Sequence, residues 1–339
     1  MTTPEEDAKP KPADSAFRYL LQAPDEERQR WGKRAVELGF PAEKLRTGAT
    51  AAAVMPWLDL VREEMRAEGL WESPQEPAQI VKLPIWSEPV RAVPNDILRS
   101  ALFSAIQGKT RRFIDKEEIA SIGGIVIKYY GMTLDQADLD VWEQAVHLAR
   151  SQPLGNICKF RANAFLKGIG RSNGKNDYNW LDDSITRLVG CAIEIRNGSK
   201  VFTGSLLSSC VKNVKTGEYE LTLDPKMIVL YSANTWTGIE WEQRQSLRGK
   251  PLALWLHGYF SSHAAPFPVK VATLRELSGS ETKDIFGFRR KLKGALDELV
   301  AIGALDSWKI DAKTDLVTVD RGAAVTASQK RLLDKSRQE

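Results

Sequence analysis

Only three cysteines and three histidines occur among the 339 residues, and each scarcity excludes a class of chemistry. Cys158, Cys191 and Cys210 are widely spaced with no Cys-x-x-Cys pair, so neither a disulfide framework nor a zinc site is expected. They read as reduced, mostly buried thiols. Ser261 and Ser262 adjoin His263, but adjacency in sequence does not build a catalytic triad. His263 reads instead as a cation ending a helix. The acid pairs Asp182-Asp183 and Glu63-Glu64 read as solvated, because sequence neighbours do not face each other on a helix. No apolar run reaches the roughly 18 residues of a membrane span. The opening "MTTPEEDAKPKPADS" also lacks the apolar core of a secretory signal. The expectation is a cytoplasmic protein, not an enzyme, with no metal, no cofactor and no membrane partner.

A phosphate loop is missing as well. "GIGRSNGKNDYNW", Gly168 to Trp180, invites that reading, but Ile169 stands where the first glycine belongs and Asn176 replaces the magnesium-holding hydroxyl. The glycines of "SIGGIVI" read as a bulge inside a strand.

What is present is an uneven charge. Residues 1–90 carry 12 basic and 16 acidic side chains, residues 91–230 carry 19 and 15, and residues 231–339 carry 17 and 13. The basic excess of the last three quarters suits an anionic partner. Residues 1–16 read as a disordered polar tail, and 25–40 and 51–70 as helices. The proline-rich run "WESPQEPAQIVKLPIWSEP" marks a linker near 72–90. Beyond it, "PNDILRSALFSA" opens with a helix-start signal, "SIGGIVIKYYG" alternates as a strand, and "TLDQADLDVWEQAVHLARS" makes an amphipathic helix with a Leu139–Trp142–Val146–Ala149 stripe. The questioned turn and the helix "YNWLDDSITRLVG" follow. Three strand-like runs follow, broken at the hairpin signals "RNGS" and "KTGE". A second pass repeats the order: helix "EQRQSLRGKPLALWLHGYFSSH", short helix "VATLRELSG", a turn with a long helix, and hairpin "SWKIDAKTDLVTVD". The fold class is therefore α+β: an N-terminal extension (1–90), tandem winged-helix domains (91–230 and 231–325), and a C-terminal tail (326–339).

In the first unit Tyr178, Leu181, Ile185 and Leu188 share one face at helical spacing. Asn176, Asn179, Asp183 and Arg187 lie opposite, with Trp180 at the edge. Asparagine can pair with adenine's major-groove edge, and arginine with guanine or phosphate. Arg171, Ser172 and Lys175 stand at the helix entrance, where amides and cations meet phosphates. In the second unit Ile285, Phe288, Leu292, Leu296 and Leu299 define the buried stripe. Lys283, Phe286 and Arg290 face away, flanked by Arg289 and Lys293, with Ser280 and Thr282 in the preceding turn. The hairpin tips "NVKTGE", with Lys215, and "IDAKTD" would serve as wings. A solvated polar face on any helical domain accounts for the same residues. On the DNA reading, Arg187→Ala and Arg290→Ala each cost about 1–3 kcal/mol at a cognate site.

The chain resembles the TrfA family of plasmid replication initiators from about Ala92 to Val319. The blocks "PNDILRSALF", "VWEQAVHLARSQPLG", "SITRL", "WEQRQSL", "YFSSHAAPFPVKVATLRELSGS" and "ALDEL" carry the resemblance. It implies a cytoplasmic initiator with two winged-helix domains that binds direct repeats (iterons) in double-stranded origin DNA. It further implies opening of an A·T-rich segment with contacts to single strands, and recruitment of host DnaA and DnaB helicase. Inactive homodimers, active monomers and no nucleotide hydrolysis also follow from it. Ser172, Tyr178, Arg187, Leu188, Lys270, Thr273, Arg275, Gly279, Ser280 and Arg289 fall on matching residue types. Lys175, Asn176, Asn179, Lys283 and Arg290 differ, as a different iteron would require. The family's sliding-clamp peptide is matched only by "QIVKLPIW", without the Leu-Phe pair, which puts clamp binding in question. A winged-helix transcriptional repressor without a replication role is the alternative.

Overall fold

Helix, strand, helix, turn, helix and hairpin occur in that order twice. The computed structural model describes residues 83–84, 86–108, 110–151, 156–198, 200–231, 235–322 and 329. The polar tail, the helices expected at 25–40 and 51–70, and the C-terminal tail apart from Gln329 lie outside the described residues.

The chain opens with β1 (Val90–Pro94), α1 (Asn95–Leu98), β2 (Phe103–Ser104), β3 (Phe113–Ile119), β4 (Val126–Met132) and β5 (Leu134–Asp135). The first winged-helix unit then follows as α2 (Gln136–Ala149), β6 (Ile157–Arg161), α3 (Ala162–Gly168), α4 (Lys175–Val189), β7 (Ala192–Asn197), β8 (Lys200–Gly204), β9 (Ser209–Asn213) and β10 (Glu218–Thr222). A 3₁₀ turn, β11 (Trp236–Glu240) and α5 (Trp241–Ser246) lead into the second unit. That unit comprises α6 (Pro251–Ser261), β12 (Val269–Lys270), α7 (Val271–Leu277), α8 (Ile285–Ala301), β13 (Ser307–Ile310) and β14 (Leu316–Asp320).

Each unit has a three-stranded antiparallel sheet with the last hairpin strand in the middle: β6–β10–β9 in one, β12–β14–β13 in the other. The strand before the helix-turn-helix therefore pairs with the return strand of the wing in both. A four-stranded sheet, β3–β4–β7–β8, stands apart from these. The expected three strand-like runs after α4 are thus four strands, and the "RNGS" hairpin β7–β8 joins β4 rather than the wing. A hairpin turn fixes which strands pair, not which sheet receives them. The "SIGG" glycines also read differently in space. Gly123 and Gly124 have φ of 80° and 76° and form the turn before β4 rather than a bulge within it.

Three helix expectations change. "PNDIL" supplies four helical residues. The expected long helix of "EQRQSLRGKPLALWLHGYFSSH" breaks into α5 and α6, because Pro251 begins a new helix at its first turn. The amphipathic α2 is buried on nearly every side, polar residues included. Its start is fixed by a capping box: Asp135 Oδ1 accepts from the Ala137 and Asp138 amides, and Asp138 Oδ2 accepts from the Asp135 amide.

Two apolar clusters form, one from Trp86 to Trp241 and one from Leu247 to Val319. Trp86, at the end of the expected linker, is only 8% exposed and donates to His147 Nδ1 at 3.0 Å. That tryptophan ends the "QIVKLPIW" segment; of the segment's described residues, Leu83 and Trp86 pack at the core. Cys158 and Cys191 are buried and Cys210 is half-buried, all three unbonded to another cysteine. His263 does follow the last turn of α6, but burial, reinforced by Arg99, pulls it down to about 4. It is neutral near pH 7 and donates to the Tyr259 carbonyl at 2.8 Å, so the expected helix-ending cation is absent.

Candidate nucleic-acid interface

In the first unit α4 buries Leu181, Ser184, Ile185 and Leu188. Lys175, Asn176, Asn179 and Asp183 are exposed on the outer face. The entrance residues form a small cluster of their own. The Arg171 guanidinium lies 3.4 Å from the Trp180 ring centroid and 3.1 Å from Asp177 Oδ1. Ser172 Oγ also donates to Asp177, and this bond, with Arg171, holds the Asp177 carboxyl below its ordinary value. Arg171, Ser172 and Trp180 thus brace the turn and leave Lys175 as the exposed cation of the entrance.

Arg187 does not face outward. Its Nη2 donates to Asp138 Oδ1 at 2.6 Å and its Nε to Asp138 Oδ2 at 3.2 Å. Asp138 is fully buried in α2 and also accepts from Ser184 Oγ at 2.7 Å. Arg187 follows Ser184 by three positions and so shares its flank of the helix. That flank is covered by α2. The expected DNA contact is a core ion pair.

The wing β9–β10 carries Lys215 at its exposed tip. Asn213 Oδ1 accepts from the Lys215 and Thr216 amides, and Gly217 closes the turn at φ 68°. Asp182 on α4 ties the wing down, accepting from Lys212 Nζ at 2.6 Å and from Tyr219 Oη at 2.5 Å.

The second unit repeats the device with the charges exchanged. Asp311 Oδ1 accepts from the Lys313 and Thr314 amides, and Asp315 takes the left-handed position at φ 58°. Here the wing supplies the carboxylate: Asp315 Oδ1 accepts from Arg289 Nη2 at 2.7 Å and Nε at 3.1 Å. Arg289 is therefore a strut between α8 and its wing. Lys313, exposed at the tip, was missed in the sequence reading. Its signal was the shared Asx-x-Lys-Thr pattern of "NVKTG" and "DAKTD". Asp284 caps α8, its Oδ1 accepting from the Gly287 amide at 2.7 Å. Lys283, Phe286, Arg290 and Lys293 are exposed on the outer face. Ser280 Oγ donates to Thr282 Oγ1 at 3.1 Å, and both are half-buried in the turn.

The two units meet around α2. Arg244 of α5, 1% exposed, donates from Nε to Asp140 Oδ1 at 2.7 Å and from Nη2 to the Gln136 carbonyl at 3.1 Å. The same Nε lies 3.2 Å from Glu143 Oε2, yet neither Glu143 oxygen has a hydrogen-bond partner among the described residues. Burial accordingly drives the Glu143 carboxyl up to about 7, against the pull of Arg244. On its other side α5 grips the first helix-turn-helix, since Trp241 Nε1 and Gln245 Nε2 both donate to the Gly168 carbonyl. Among the described residues there is no cluster of three or more metal-type side chains, and no helix long and apolar enough to cross a membrane.

Comparison with known proteins places this arrangement. The model of the TrfA protein family matches residues 76–321. The plasmid replication initiator protein TrfA of Escherichia coli is 28% identical over 256 residues, covering 70% of this chain. The chain spans 63% of that relative's length. Among solved structures, domains 2 and 3 of RctB align with a TM-score of 0.46 at 15% identity, over 67% of this chain and 98% of that one. The Pi initiator protein in complex with iteron DNA aligns with a TM-score of 0.43 at 13% identity, over 55% of this chain and 94% of that one. Since the family model takes in both helix-turn-helix units and both wings, the chain belongs to the TrfA family.

Proposed function

We propose that this chain is a plasmid replication initiator that binds iterons in duplex origin DNA through two winged-helix domains, residues 91–230 and 231–325. One observation carries the reading. Each unit presents an exposed polar or cationic helix face beside a lysine-tipped wing, and each wing is tied to its helix by a carboxylate. Such a pair suits a major groove and its neighbouring phosphates. The outer face of α4, with Lys175, Asn176 and Asn179, would read one groove segment. The face of α8, with Lys283, Phe286, Arg290 and Lys293, would read the next. Lys215 and Lys313 would reach the backbone. The name of the Escherichia coli relative supports the replication role. In keeping with it, the protein would act in the cytoplasm without turning over a substrate. It would promote opening of an A·T-rich segment, touch the exposed single strands, and engage host DnaA and DnaB helicase. Dimeric and monomeric forms would interconvert.

Two measurements test this. Titration of the chain against its repeat should show affinity falling steeply with salt through counterion release. The gene is then placed beside its repeat region on a plasmid whose own replicon fails in the host. Transformants should arise only when both are present. Repeat binding without transformants would favour a repressor, and loss of both would overturn the proposal.

A further inference from the structure

Phe286 is the large apolar side chain among the cations Lys283, Arg290 and Lys293 that open the outer face of α8. It stands in the first turn of α8, 75% exposed, with Lys283 three residues before it and Arg290 and Lys293 four and seven after it. The Arg289 guanidinium lies 5.7 Å from its ring centroid, and Arg289 is itself held by Asp315. The ring is therefore displayed rather than packed. A phenyl ring can make no hydrogen bond to a phosphate or a base edge. The surface complementary to this face must be anionic around its margin and apolar at one point. The major groove of duplex DNA offers that combination, phosphates on both sides and the C5-methyl of thymine on the floor. In helix-turn-helix readers the first turns of the second helix are the part that reaches base edges.

We infer that Phe286 is a specificity-determining residue that packs on a thymine methyl group in the major groove. The inference rests on the DNA reading proposed above. Asp284 caps the helix from the residue before Ile285, and Gly287 follows with no side chain, so the turn presenting the ring is fixed and narrow.

The test uses the full chain and duplexes enriched by it from a random library. The best duplex is resynthesised with deoxyuridine replacing thymidine one position at a time, which removes a single methyl and leaves every hydrogen bond in place. The native chain is expected to lose about three- to fivefold in affinity at one position. Phe286→Ala, which removes no buried packing, should bind the thymine and uracil duplexes equally. Phe286→Leu should regain part of the discrimination. Uniform affinity of the native chain for all uracil duplexes would overturn the inference, as would an alanine variant that still discriminates. Lost affinity in Phe286→Ala without uracil sensitivity would point to ring stacking and would also overturn it. Failure to enrich any duplex overturns the underlying DNA reading and the inference with it.

Discussion

Two arginines that look alike in sequence are expected to behave oppositely. Arg187→Ala leaves Asp138 buried and without its cation, which costs about 3–5 kcal/mol of stability, read as a lowered urea midpoint. Arg290→Ala should leave that midpoint within about 0.5 kcal/mol and instead cost about 1–3 kcal/mol in a titration with a cognate repeat. Helical periodicity was enough to place Asn176, Asn179, Lys283 and Arg290 on outer faces. It could not tell that the flank shared by Ser184 and Arg187 is roofed by α2, because that cover comes from residues nearly fifty positions earlier. A second residue, Glu143, predicts a pH effect. Its carboxyl rises from an ordinary 4.5 to about 7 in the fold, so its contribution to stability is full below 4.5 and lost as pH climbs through 7. His257, pulled by burial down to about 3, works the other way, losing its contribution as pH falls below 6.5. Subtracting the urea stability of Glu143→Gln from that of the native chain isolates the first effect. The difference should shrink by on the order of 3 kcal/mol between pH 5 and pH 8.

At the level of elements, the wings were the most legible feature and the sheets the least. "NVKTG" and "DAKTD" each hold an Asx side chain that organises the turn and a residue taking positive φ. A β-carbon at Gly217 would meet nothing within 4 Å, so substitution there reads backbone strain alone. Gly217→Ala should cost about 1 kcal/mol and Gly217→Asn less, both measured as unfolding midpoints. Asp315 accepts the same strain for a different return: its carboxylate fastens Arg289. The β7–β8 hairpin was legible as a hairpin, yet its strands belong with β3 and β4. Ile193 and Ile195 alternate inward as any half-buried strand would, and nothing local says which sheet they complete. The break between α5 and α6 was written in "RGKP" and overridden by the apolar periodicity on either side.

For the molecule as a whole, α2 is the shared axle. Asp138 holds α4 of the first unit through Arg187, while Gln136 and Asp140 hold α5 through Arg244. Arg244→Ala would leave the buried Glu143 and the half-buried Asp140 without their cation, and about 3–5 kcal/mol of stability should go with it. Calorimetry should then show one thermal transition moved to lower temperature, since α6 still joins the two cores through Trp255 Nε1 on the Ser100 carbonyl and Arg99 Nε on Ser262 Oγ. The tandem architecture could be read from the repeated element order. This axle could not, because the sequence separates Gln136 from Arg244 by 108 positions. The division of labour it creates bears on how such a protein diverges. On the proposed DNA reading, single substitutions on the outward faces of α4 and α8 would change the sequence that is read without disturbing the core. Altering an acid of α2 would strand a distant arginine, so retuning is tolerated at the rim and resisted at the hub.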